Sequence, residues 1–253
     1  MSLTANPSSA RPSLKRVLIC PGFRRCGTSS LHSLLRPNRA LLEPYFTAYV
    51  RDDLNHAWRT TVHSLFFKGK EKRLKRLPKL AEEIARTIDP GPSGQVLITD
   101  ENLIGTRLYH PDGRTIFDVA ETALPILERA FAGADVAFRF QIRDWDDWIN
   151  SSYAREVVRR GATYSKEEYM AGMNAAETWE TGTKKIKDAL ASPVSFLNVT
   201  DDLIGGAPGR SILDHFDVPE EVIERLVIPP RQNVSPSSTE LEQLRLRNVE
   251  KAG

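Results

Sequence analysis

The chain has 253 residues, 40% of them hydrophobic and 27% charged, with a formal net charge of +2. That length suits one full α/β domain with a sizeable core and is short for two, and the ordinary composition excludes global disorder. Near-neutral charge excludes a protein that coats nucleic acid, and no apolar stretch approaches the ~20 residues that span a bilayer.

Residues 1–13 are polar and lack an apolar h-region, so they read as a disordered leader and not as a secretory signal. Residues 14–253 read as one domain closed by a C-terminal helix. Arg16-Val-Leu-Ile-Cys20 is a short apolar run between a charge and Pro21-Gly22, the pattern of a strand buried on both faces. A helix starts near Leu31, Leu34 and Leu35. Leu74, Leu77, Leu80, Ile84 and Ile88 carry a helical period through Glu71–Ile88, with Pro78 as a local break. Gln95–Thr99 reads as a strand, Val119–Phe131 as a helix, and Val136–Ile142 as a strand. Trp145–Arg159 and Lys166–Ala189 read as helices, Val194–Val199 as a strand, and Glu220–Val227 as a helix. A Pro- and Ser-rich stretch from Pro229 gives way after Thr239 to a charged terminal helix.

Strands alternating with helices predict an α/β fold of three layers, a mostly parallel sheet flanked by helices on both faces. The two cysteines, Cys20 and Cys26, form neither a disulfide framework nor a zinc ligand set, which fits a reducing cytoplasm. The run Lys68–Arg76 is strongly basic; it reads as a solvated helix face or as a lid over an anionic ligand.

The segment from Val17 to Leu31 goes strand, loop, helix. A helix N-terminus offers free N–H groups and a partial positive charge, so it attracts phosphate. Gly27 lets the backbone approach closely, Thr28, Ser29 and Ser30 add hydroxyls, and Arg24 and Arg25 add fixed charge. Against the nucleoside-triphosphatase pattern G-x-x-x-x-G-K-[ST], Gly22 and Gly27 have the right separation and Ser29 stands in its place. Position 28, however, is Thr, so the lysine that reaches the β- and γ-phosphates is missing, and a cation stands inside the loop at Arg25. The alternative is a hydroxyl-rich helix cap after a buried strand. A second pair follows strand Val136–Ile142: Arg143 lies at its carboxyl end and Ser151 lies eight residues on, two turns into the next helix. Ligands of parallel sheets collect at strand carboxyl ends, so Arg143 and Ser151 are placed to clasp a second phosphate.

These two motifs together resemble those of sulfotransferases that use 3′-phosphoadenosine 5′-phosphosulfate (PAPS). Arg24-Arg25-Cys26-Gly27-Thr28-Ser29, followed by Ser30, is similar to the family's 5′-phosphosulfate loop. Arg143 and Ser151, with the aromatic-rich Trp148 to Tyr153 around them, are similar to its 3′-phosphate motif. Weaker likenesses lie at Thr99–Leu103, Phe196–Leu203 and Ile212–Glu220, so the resemblance spans roughly residues 16–235. It implies a P-loop-type fold, PAPS as co-substrate, no metal, and a small-molecule or carbohydrate acceptor. Arg24 replaces a common Pro, Arg25 a common Lys, and Cys26 a Ser or Thr. Arginine keeps its proton, so Arg25 can stabilise charge but cannot act as a general acid.

The acceptor's proton needs a base. The five histidines, His32, His56, His63, His110 and His215, have no spacing that marks one. Glu43 is the leading candidate, because it stands roughly where carbohydrate-type members place a catalytic Glu, and Glu101, at a strand's carboxyl end, is the next. Acceptor-binding segments are expected at Arg39–Arg76 and Tyr153–Met173. The activity expected is sulfo transfer to a hydroxyl or amine. A kinase-like phosphoryl transferase and a non-catalytic nucleotide-binding protein on the same fold stay open.

Overall fold

The computed structural model describes residues 13–54, 56–66, 71–105, 108, 114–172, 177–230 and 236–252. The expected leader lies outside them, apart from its last residue, as do His110, residues 68–70 of the basic run and Met173. Five strands make one sheet: β1 (Arg16–Cys20), β2 (Thr47–Val50), β3 (Gln95–Thr99), β4 (Asp135–Ile142) and β5 (Val194–Asn198), in the order β2-β3-β1-β4-β5. Every pairing in it is parallel, with Leu18 level with Leu97 on one side and Ala137 on the other.

Strand period explains the layers. Successive side chains of a strand point to opposite faces. Val17 and Ile19 enter one apolar cluster, and Leu18 and Cys20 enter another. The first cluster is covered by α2 (His56–His63), α4 (Leu77–Thr87), α5 (Ile116–Ala130), α6 (Trp145–Arg160) and α8 (Trp179–Ala189), and α3 is the short turn Glu71–Leu74. The second is covered by α1 (Thr28–Leu42), α9 (Arg210–His215) and α10 (Glu220–Ile223). Between α6 and α8 lies α7 (Lys166–Ala171), and a small hairpin of β6 (Leu203–Ile204) and β7 (Ala207–Pro208) precedes α9. The terminal helix α11 (Ser238–Ala252) rests on α6; its Asn248 Nδ2 donates to the Val157 and Ala162 carbonyls at 3.1 and 3.2 Å. This is the three-layer α/β architecture expected. Among the described residues no helix is long and apolar enough to cross a membrane.

Several expectations need correction. β2 was not foreseen, because Thr-Ala-Tyr-Val is a half-exposed edge strand without an apolar run. The helix read through 71–88 is two segments. Pro78 sits in the first turn of α4, where its missing N–H costs nothing, so it starts a helix there. The helix read through 166–189 is likewise two, α7 ending at Gly172 and α8 starting from a capping box between Thr178 and Thr181. α2 and α9 went unseen, and α10 ends at Ile223, short of Val227.

The strand order creates one special place. The chain leaves β1 toward the β2 edge and leaves β4 toward the β5 edge, so the connections diverge above the carboxyl ends of β1 and β4. In an open parallel sheet such a divergence leaves a crevice.

The floor beside this crevice is close-packed. Gly182 of α8 lies against the Phe117 ring, and a Cβ there would sit 2.5 Å from ring carbons. Gly182→Ala therefore destabilises the fold by about 1–3 kcal/mol through overpacking, which outweighs the gain in helix propensity. Urea unfolding checks this; an unchanged or raised midpoint would show that the Phe117 ring moves freely.

Candidate functional site

Seven residues, Pro21–Gly27, carry the chain from β1 to α1. Three of them have positive φ: Gly22 at 50°, Arg25 at 77° and Gly27 at 88°. At Gly22 a Cβ would lie 2.4 Å from Thr28 Oγ1, and at Gly27 one would lie 2.8 Å from Val199 Cγ2. Both glycines are therefore required by the turn itself. Arg25 adopts the left-handed conformation with a side chain, at an energetic cost that clusters at ligand sites.

An aromatic cluster holds this loop. Phe23 is fully buried, with ring centroids of Trp179, Phe140, Phe117 and Trp148 at 4.9, 5.3, 5.4 and 5.7 Å. The Trp148 indole N–H donates to the Arg24 carbonyl at 2.8 Å, and that of Trp179 donates to the Arg143 carbonyl at 2.8 Å. Two stacked indoles, 4.4 Å apart, thus anchor the backbones of both arginine segments.

α1 opens at Gly27 with no side-chain cap and no acidic residue in its first turn, and its first backbone closure is Leu31 N–H to the Gly27 carbonyl at 3.0 Å. The amides of Thr28, Ser29 and Ser30 therefore have no acceptor within the helix. The Thr28 hydroxyl is buried without a partner. Arg25 Nε donates to Ser151 Oγ at 2.9 Å, joining the loop to α6. Arg24 Nη2 donates to Asn102 Oδ1 at 2.5 Å, tying the loop to the end of β3, while its Nε is buried without a partner, as is Arg143 Nε.

Positive charge accumulates here. Burial, and then the charges of Arg155, Arg143 and Arg159, lower the proton affinity of Arg25. Burial does the same for Arg24, with Glu101 opposing and Arg155 and Arg160 adding to it. Ion pairs elsewhere engage Arg51, Arg59 and Arg160, but among the described residues none joins Arg24, Arg25, Arg143, Arg155 or Arg159 to a carboxylate.

At the end of β3, Asp100 and Glu101 are buried. Asp100 Oδ1 accepts from the Asn102 amide and side chain at 2.8 and 2.7 Å, and Arg59 Nε stands 3.8 Å from its Oδ2. Burial lifts this carboxyl to about 6 against those bonds. Glu101 Oε1 accepts from Arg51 Nη1 at 3.3 Å, and its Oε2 has no donor.

The structure brings Arg24, Arg25, Gly27, Thr28, Ser29, Ser30, Arg143 and Ser151 to the crevice. Two expected site residues differ. Cys26 turns its side chain fully into the core, so only its backbone belongs to the loop. Glu43 caps the far end of α1, and a 15-residue helix is about 22 Å long, so this exposed carboxylate is remote from the loop. Glu101 stands just past the carboxyl end of β3, the parallel neighbour of β1. His32 is buried and donates Nε2 to the Thr99 carbonyl at 3.0 Å, a packing role. Arg155 and Arg159 lie within the expected acceptor segment Tyr153–Met173 without being marked there, although their spacing of four from Ser151 puts them on one face of α6. Trp179 could not be found that way, because only the fold brings it to the loop, whereas Asn102 belongs to the Thr99–Leu103 segment that the sequence marks.

No family model matches the chain, and no curated protein matches it significantly. Solved structures that match include one described in a molecular and structural characterisation of the PezAT chromosomal toxin–antitoxin system of Streptococcus pneumoniae. It is 11% identical with a TM-score of 0.32, over 97% of this chain and 89% of that one. So low a similarity carries no argument about this chain's chemistry.

Both thiols are free and buried. Burial pushes Cys20 and Cys26 to about 12, against the opposing charges of Arg139 and Arg143 respectively. With a chromogenic disulfide reagent at pH 8, neither reacts until denaturant is added. Rapid release from native protein would mean that the loop over Cys26 opens.

Proposed function

We propose that the chain transfers a sulfo group from PAPS to a hydroxyl or amine of a small-molecule or carbohydrate acceptor. The observation that carries this reading is the Arg25–Ser151 hydrogen bond, which puts the loop and the Arg143/Ser151 segment on one crevice. A ligand with anionic groups at two ends matches that pairing. The orphaned Thr28 hydroxyl and the unpartnered Nε atoms of Arg24 and Arg143 suit phosphate oxygens. In this reading the amides of Thr28–Ser30 and Arg25 take the 5′-phosphosulfate, and Arg143 with Ser151 takes the 3′-phosphate.

In the transfer itself, a lone pair of the acceptor oxygen or nitrogen forms the new bond to sulfur. The bond from sulfur to the bridging oxygen breaks, and its electron pair stays on the 5′-phosphate of 3′,5′-ADP. The acceptor proton passes to Glu101, whose Oε2 has no other donor and whose Oε1 is steadied by Arg51. Fixed cations and helix-end amides stabilise the charge that builds on the leaving phosphate.

Asp100 favours a second reading. It lies at the end of β3, hydrogen-bonded through its amide to the Cys20 carbonyl at the end of β1, where a carboxylate is placed to hold the magnesium of a phosphoryl transferase. Its partners are Asn102 and Arg59, however, and a guanidinium facing Oδ2 already supplies positive charge.

Wild-type protein binds 3′,5′-ADP much more tightly than 5′-AMP, with no change on adding EDTA. Arg143→Ala weakens 3′,5′-ADP about 10- to 100-fold and spares 5′-AMP, since a charge-assisted hydrogen bond contributes about 1.5–3 kcal/mol. Calorimetric titration decides: equal affinities remove the 3′-phosphate assignment, and a strict magnesium requirement favours phosphoryl transfer. In a radiolabelled-sulfo transfer assay over hydroxyl and amine acceptors, Arg25→Ala lowers turnover about 10²- to 10³-fold with little loss of 3′,5′-ADP affinity, and Arg25→Lys stays active. Proportional loss of binding and turnover would reduce Arg25 to an anchor, and no transfer to any acceptor by wild type would favour a non-catalytic nucleotide-binding protein.

A further inference from the structure

Arg155 is a charge that the nucleotide does not require. It sits one helical turn beyond Ser151 on the same face of α6, half-buried, and has no carboxylate partner among the described residues. Its sequence neighbour Glu156 is committed elsewhere, accepting from Arg160 at 2.8 and 3.0 Å. Arg159 and Arg160 belong to the last turn of α6, where cations suit the helix dipole, but Arg155 lies mid-helix and gains nothing there.

The position of Arg155 relative to the loop is informative. Arg25 Nε donates to Ser151 Oγ at 2.9 Å and Arg155 stands one turn on from Ser151, so the loop meets α6 on the face that carries Arg155. Arg24 itself reaches β3 through Asn102. The loop thus lies between Glu101 on the β3 side and Arg155 on the α6 side. An acceptor must touch both the base and the transferring group, so it occupies this same span.

We infer that Arg155, with Arg159 one turn beyond it, is a binding site for an anionic group of the acceptor. This rests on the sulfo-transfer reading. The acceptor presents its hydroxyl or amine to Glu101 and carries a carboxylate, sulfate or phosphate to Arg155. A half-buried guanidinium that no carboxylate among the described residues engages is free to take such a group, and its planar fork matches a carboxylate or sulfate in two hydrogen bonds.

The test uses the full chain saturated with 3′,5′-ADP and titrated calorimetrically with glucuronate, with glucose as a neutral control and with inorganic sulfate. Glucuronate is expected to bind at least ~10-fold more tightly than glucose, the effect of one charge-assisted hydrogen-bonded pair. Arg155→Gln removes that preference and the sulfate binding, while 3′,5′-ADP affinity stays within about twofold and thermal unfolding is unchanged. Arg155→Lys restores part of the preference.

Equal binding of glucuronate and glucose by wild type, or no binding of either, overturns the inference. So does a loss of 3′,5′-ADP affinity in Arg155→Gln as large as that in Arg143→Ala, which would assign Arg155 to the nucleotide. Failure of 3′,5′-ADP to bind wild type, beside an anion preference that Arg155→Gln abolishes, would remove the nucleotide reading and leave the anion site standing.

Discussion

Two indole N–H groups hold the site together. Trp148 and Trp179 stack on one another and bond the carbonyls of Arg24 and Arg143, so two segments far apart in sequence are fastened to one rigid platform. Phe23 drives this arrangement from the loop's side. It lies inside the loop yet is fully buried, because the rings of Phe117, Phe140, Trp148 and Trp179 form its pocket. The loop is thus pinned from below by apolar burial and shaped from above by two glycines and a left-handed Arg25. Preorganisation of this kind lets backbone amides and guanidinium groups stand ready for an anion without reorganising.

The fold tolerates the resulting charge by keeping it at a rim. Arg24, Arg25, Arg143 and Arg155 are half-buried, so each retains some water while losing the rest to its neighbours. Repulsion among them is unfavourable in the empty state, a local inconsistency of the sort that marks functional surfaces. Carboxylates do occur nearby: Asp100 and Glu101 face Asn102, Arg59 and Arg51, and each keeps one oxygen without a hydrogen-bond donor among the described residues. The site therefore separates an acidic β3 side from a basic α6 side across one loop.

Sheet order decides where this happens. β1 lies between β3 and β4, so its carboxyl end has the Asp100–Asn102 turn on one side and Arg143 on the other. Any other neighbour for β1 would separate these groups. The end of β5 and the β6–β7 hairpin close the back of the loop, with Val199 and Pro208 against Gly27. α11 braces α6 from outside through Asn248 and through Arg245, which donates to the Thr163 carbonyl at 2.9 Å.

Features legible in the amino-acid order were local ones. Four of the five strands of the main sheet were legible because apolar runs bounded by turns have few other uses, and the strand–loop–helix turn was legible because Gly22, Gly27 and the hydroxyl run sit within one short segment. Arg143 and Ser151 were legible for the same reason. β2 was not, since an edge strand needs only one buried side, and the breaks in the helices depended on caps whose effect is set by their surroundings. Tertiary structure alone set where Glu43 and Glu101 stand, because helix length carries the first away from the crevice while a parallel neighbour of β1 brings the second toward it. It alone turned Cys26 inward, placed Trp179 against the Arg143 carbonyl and left Arg155 without a carboxylate partner among the described residues. Each of those facts is a relation between segments distant in sequence, and such relations exist only once the sheet order has set which strand ends are neighbours.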